Sequence, residues 1–308
     1  ISEIFNYPLR ASLTLPLGLF IAVATISFFF APDLRAAAGI WKAYFMEPVL
    51  FFIILLDILI HHPKLLNKNQ LIAALSVSAL LLSVYAIYQR FTGFGIPPPW
   101  DVERRVTSIF PYPNALALFL APLVPLFIAQ IFTQFRHSER SEESRANARK
   151  LLATGYWLLA TLLSLLAIVF AKSTGALVGV SAGLLFMYAL WLVRSKHYDR
   201  SKLTATKFYI LHTTYYILVI AGLALLLMKA MPSIKDELLL KDWSGHVRRM
   251  QWTETIEMLK DRPILGAGLA SYKETLAPYH KATYLEIFEY PHNIVLNFWS
   301  ETGLLGLL

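Results

Sequence analysis

Seven stretches of about 20 residues, at 12–31, 38–60, 70–89, 114–135, 151–171, 174–193 and 208–230, are almost wholly apolar, and an eighth begins near Asn293. A helix crossing the hydrocarbon of a bilayer needs ~20 such residues. Hydrocarbon offers no partner to a backbone N–H or C=O, so each run has to satisfy its own backbone as an α-helix. None shows the ten-residue alternation of a barrel strand. The predicted fold is therefore all-α, a polytopic transmembrane helix bundle, taken as a single transmembrane domain over residues 1–308. The sequence opens at Ile1 without an initiating Met and stops inside an apolar run at Gly303 to Leu308, so it reads as a fragment truncated at both ends.

Composition excludes several kinds of chemistry. With no Cys there are no disulfides, thiolate metal sites or thiol nucleophiles, and eight scattered His do not suggest a metal cluster. A formal charge of +8 raises nucleic acid as a partner, yet neither a basic aromatic sheet face nor zinc spacing is present, and the basic residues gather between apolar runs. No nucleic acid is expected. No Walker-type glycine loop is found either, so nothing supports an ATP-driven mechanism.

The loops set the orientation. Connections at 1–11, 61–69, 136–150 and 194–207 hold 13 Lys and Arg, while those at 32–37, 90–113 and 172–173 hold 5. Cytoplasmic loops carry the excess of Lys and Arg, so the first set is predicted inside. That places residues 91–113 and the large, partly helical segment 231–292 outside the membrane. Residues 136–150, mixed in charge and poor in apolar side chains, read as a solvated cytoplasmic linker.

The outer segments carry the candidate residues. Val247 to Lys260 reads as an amphipathic helix, with Arg248, Trp252, Ile256 and Leu259 on one stripe. A guanidinium on that face calls for a phosphate or carboxylate, or else snorkels to the headgroups. Arg249, about 100° round the helix, is expected to be solvated. Pro263 to Gly268 predicts a tight turn whose glycines let backbones pack closely, followed by a short helical piece at 269–276. At the re-entry to the membrane stands Glu289-Tyr290-Pro291-His292-Asn293, with Asn293 a predicted N-cap. His292 either fills the position before the cap or exchanges a proton near neutral pH. In the earlier outer loop Arg104 and Arg105 precede a helix start that Asn114 is expected to cap, and they too could bind lipid headgroups.

Four pieces in order resemble the O-antigen ligase and O-antigen polymerase superfamily: Tyr85 to Gly93 (YAIYQRFTG), Arg105 to Asn114 (RVTSIFPYPN), Arg248-x-x-x-Trp252 leading into Pro263 to Gly268, and His292-Asn293 followed by Glu301 to Gly306. The resemblance covers about residues 80–308, and the first 80 add only apolar helices. It implies a C-type glycosyltransferase fold in the bacterial inner membrane, with the active site facing the periplasm. The implied activity moves a glycan from undecaprenyl pyrophosphate to an acceptor hydroxyl on lipid A-core, another glycan or protein. No cofactor, nucleotide sugar or metal is implied. His292 resembles the family's catalytic base, and Arg105 and Arg248 resemble the arginines that hold the pyrophosphate, with Trp252, Asn114 and Asn293 supporting. Where members often carry Ser-Arg-Gly, this sequence has Ser173-Thr174-Gly175, and Lys172 is the nearest replacement charge. An ammonium cannot copy a guanidinium's bidentate grip.

Within the superfamily, ligation onto lipid A-core is favoured over the alternatives, polymerisation and protein O-glycosylation. A lipid-linked sugar transporter or flippase predicts ionisable residues deep in several helices. Lys42, Glu47 and Asp57 all fall in one run.

Overall fold

The computed structural model describes residues 8–138, 144–195, 240–241, 243–281 and 286–308, and every regular element among them is helical. The predicted run at 208–230 lies outside the described residues. The chain forms two compact units, Ile1–Asn67 with Asp236–Leu308, and Lys68–Lys235.

In the second unit, α4 (Lys68–Thr92), α5 (Pro113–Leu120), α6 (Leu123–Ser138), α7 (Ser144–Phe170) and α8 (Thr174–Ser195) surround a core to which Ala79, Leu116, Val124, Phe127, Ala160 and Ile168 contribute. α7 packs on α4 and α6. On α4 the buried positions Ser76, Ala79, Ser83 and Ala86 make a stripe of small side chains. Hydrophobicity does not drive one apolar helix onto another in lipid, so such stripes serve by letting backbones approach. The predicted run 114–135 is broken between α5 and α6 at Pro122, which has no N–H for the helical ladder. α6 and α7 extend into the expected linker at 136–150, leaving 139–143 outside the described residues.

The first unit begins with α1 (Pro8–Phe29) and α2 (Leu34–Ile40), which continues through a π-helical turn (Trp41–Met46) into α3 (Glu47–His61). The i to i+5 register of that turn sets Lys42 beside Glu47, 3.4 Å apart. Asp57 meets His61 one α-turn on, at 2.9 Å. After the second unit come α9 (Trp243–Asp261), α10 (Tyr272–Leu276), a 3-10 turn (Ala277–Tyr279) and α11 (Ile294–Leu307). Among the described residues, Leu34–His61, Lys68–Thr92, Pro113–Thr133 and Leu151–Phe170 are long and apolar enough to cross a membrane, while Leu13–Phe29 and Thr174–Leu190 are shorter apolar helices.

Two of the sequence pieces interlock in this unit. α11 breaks its helical path at Gly303 (φ 70°, ψ −175°), which leaves the Leu304 N–H without its helical partner. That N–H donates instead to the Ile264 carbonyl at 3.1 Å, and the Ser300 carbonyl accepts from Ala267 N–H at 2.6 Å. Trp299 Nε1 adds a bond to the Pro263 carbonyl at 2.8 Å. Gly268 passes against the end of α1, where an added Cβ would come within 2.9 Å of the Ala31 Cα. The predicted role of these glycines, close backbone packing, is what the geometry has. Such a backbone conformation is essentially confined to glycine, and a Cβ at 303 would overlap the Ile264 carbonyl. Gly303→Ala is expected to destabilise the protein by about 2–4 kcal/mol, seen as a lowered thermal midpoint in detergent. An unchanged midpoint would mean that the junction is not formed as described.

Candidate functional site

On α9, Arg248 and Trp252 stand one turn apart and project from the same side of the helix. The indole Nε1 of Trp252 donates to the Pro291 carbonyl at 2.6 Å, so α9 grips the residue immediately before His292. On the other side Asn293 caps α11, its Oδ1 accepting from Val295 N at 3.0 Å and Leu296 N at 3.2 Å. Between these two anchors His292 takes φ 52°, a left-handed conformation uncommon for a residue with a side chain. Strain of that kind costs of order 1–3 kcal/mol and persists where the surroundings over-determine it.

The imidazole edges against two rings, Phe288 at 4.9 Å and Tyr290 at 4.7 Å between centroids. The residue stays exposed, but partial desolvation of the ring lowers its pKa below the usual 6.5, and the nearby Arg248 charge lowers it further. At neutral pH the ring is therefore uncharged and carries a lone pair able to take a proton. The structure thus brings together Arg248, Trp252, His292 and Asn293. Arg248 is half-buried, while Arg249 is exposed as expected.

In the other unit the loop between α4 and α5 is built around Gln89, which is fully buried near the end of an apolar helix. Its Oε1 accepts from Thr107 N (3.1 Å) and Ser108 N (2.7 Å), and its Nε2 donates to the carbonyls of Gly95 (3.0 Å) and Ser108 (3.1 Å). Arg90 Nη1 donates to the Arg104 carbonyl at 3.2 Å. The pieces YAIYQRFTG and RVTSIFPYPN are one folded device. It presents Arg105, whose Nε donates to the Ala171 carbonyl (3.2 Å) and whose Nη2 donates to the Lys172 carbonyl (3.3 Å), with the guanidinium 5.0 Å from the Trp100 ring centre. Arg105 and Lys172 are thereby neighbours. Lys172 Nζ, however, pairs with Glu103 at 3.0 Å, and this bond holds the Glu103 carboxyl below the usual carboxylate range. A phosphate at Lys172 has to compete with that carboxylate.

Two expectations are corrected. Asn114 does not cap α5: Tyr112 is the N-cap residue, because Pro113, with fixed φ and no N–H, takes the first helical position and leaves Asn114 exposed inside the helix. The buried face of α9 is also out of phase with the predicted stripe. Leu259 of that stripe is buried as expected, but Ile256 is 44% exposed, whereas Gln251, Glu254 and Thr255 are buried. Polar residues occupy that face because most are paired there: Thr255 Oγ1 with the Tyr272 hydroxyl (2.7 Å), and Glu254 with His280 Nδ1 (2.9 Å) and Lys281 N (3.0 Å). Hydropathy carries no sign of such pairs. For Gln89 the sign in the sequence is a lone amide in an apolar run.

Compared with known proteins, residues 159–308 match the model of a family described as O-antigen ligase. The match takes in Lys172 and the pieces at 248–268 and 292–306, and leaves those at 85–93 and 105–114 outside it. No curated protein and no solved structure matches the chain.

Proposed function

We propose that this multi-pass membrane protein, whose residues 159–308 match the O-antigen ligase family, joins an undecaprenyl-pyrophosphate-linked glycan to a sugar hydroxyl of lipid A-core at the periplasmic face of the inner membrane. The observation that carries this reading is the corner at His292, which Arg248 approaches with its charge and Trp252 holds through the Pro291 carbonyl.

In the proposed step the acceptor oxygen attacks the anomeric carbon of the glycan and its proton passes to the neutral His292. The bond from that carbon to the phosphate oxygen breaks, and undecaprenyl pyrophosphate leaves with the electron pair. Charge grows on the departing diphosphate, so a cation that binds it more strongly as it leaves lowers the barrier. Arg248 is assigned that role, its fork matching two phosphate oxygens. Arg105, held in orientation by two carbonyls, is a further candidate for binding phosphate, and Lys172 is a weaker one because Glu103 already neutralises it.

Deleting the gene tests the class of reaction. Loss of glycan from lipid A-core, with the lipid-linked precursor accumulating at full length, is the expected result. Glycan shortened to one repeat would make the protein a polymerase, and loss from protein alone would make it a protein glycosyltransferase. The pH profile tests the base. Because the pKa of His292 lies below 6.5, its proton-accepting form persists across neutral pH and is lost only as pH falls through that lower value. The acid limb of kcat/KM should therefore have its midpoint below pH 6.5, and a midpoint above it would remove His292 as the base.

A further inference from the structure

Beside the His292 corner, on the next face of α9, lies a recess that the glycan chemistry above does not use. Its apolar walls are Val247, Met250 and Ile287, and its polar ones Gln251, Glu254 and Glu286. The recess holds about 10 Å³, room for one water-sized group. Glu254 is held at its side by His280 and by Lys281 N. Gln251 is 5% exposed, and neither its amide oxygen nor its amide nitrogen has a hydrogen-bond partner among the described residues. The amide approaches the Tyr272 hydroxyl without closing a bond to it.

A buried amide with both atoms unmet costs about 1–3 kcal/mol for each group and is rarely kept without reason. Among the groups a glycan offers, the one that answers a donor and an acceptor together is a hydroxyl, which, as a water would, accepts from the amide N–H and donates to the amide oxygen. Gln251 sits three residues after Arg248 and one before Trp252, within the same stretch of helix as the proposed leaving-group site. We propose that this recess is a sugar subsite, in which Gln251 binds one hydroxyl of a glycan substrate and so helps decide which sugar is aligned for transfer. The subsite rests on the reading of the protein as a glycan transferase.

The test compares wild type with Gln251→Leu, of similar volume and without the amide, in vesicles supplied with lipid-linked glycan and lipid A-core. The expected result is a KM raised about 10- to 100-fold for one of the two substrates, with kcat within about twofold and the thermal midpoint not lowered. The substrate whose KM moves is the one that contributes the hydroxyl. Unchanged KM values for both, whatever happens to stability, overturn the subsite and leave a buried water as the partner of Gln251. Should the leucine variant not fold, Gln251→Met repeats the comparison. Failure of the wild type itself to transfer glycan to lipid A-core would overturn the ligase reading, and the subsite as proposed with it.

Discussion

His292→Ala should abolish glycan transfer, with activity down by about 10³-fold or more, while the protein inserts into the membrane at normal abundance. A general base alone contributes about 10²–10⁴-fold. Partial desolvation and the Arg248 charge both lower the pKa of this imidazole, so its neutral form prevails at pH 7. Removing the ring leaves the anchors on either side intact: Trp252 still reaches the Pro291 carbonyl and Asn293 still caps α11. The variant therefore separates chemistry from folding. Near-normal glycan display by His292→Ala would end the catalytic assignment, and α11 would then start at an ordinary capped turn. His292→Gly should be equally inactive and slightly more stable, since glycine takes the φ of 52° without strain.

Arg248→Lys is expected to cost about 10²-fold in kcat with charge conserved. A guanidinium donates two parallel hydrogen bonds to a diphosphate, and an ammonium presents a single compact charge. The position tests geometry as well as charge, because Arg248 stands a fixed helical turn from the Trp252 that grips the residue before His292. Since lysine keeps the positive charge near His292, the acid limb of the pH profile should stay below 6.5 even as the rate falls. Wild-type rates from the lysine variant would reduce Arg248 to a headgroup contact.

Much of this was legible in the sequence, for reasons that can be named. Among the described residues the apolar runs identify helices because lipid leaves the backbone no alternative, and the two that were cut differently were cut at particular residues. Pro122 divides one run, and the π turn ahead of Pro48 interrupts another without ending it. Asn293 was readable as a cap because nothing but its own side chain was needed, whereas at Asn114 the adjacent proline moved the helix start. The buried face of α9 was not readable. Glu254 and Thr255 look solvent-seeking until their partners His280 and Tyr272, 26 and 17 residues further along, are folded against them. The pairing of the motif pieces was hidden for the same reason, since Gln89 does its work on main-chain atoms up to 19 residues away. The first helices also do more than fill the membrane, as the approach of Gly268 to Ala31 demonstrates.

The junction at Gly303 meets a peptide carbonyl, that of Ile264, and not the isoleucine side chain. No exchange of side chain at 264 can make room for a larger residue at 303, so second-site suppressors of a Gly303 variant should not arise there. Ile264 and Leu265 themselves point outward, 61% and 39% exposed, and can drift in identity while the seam beneath them keeps its register.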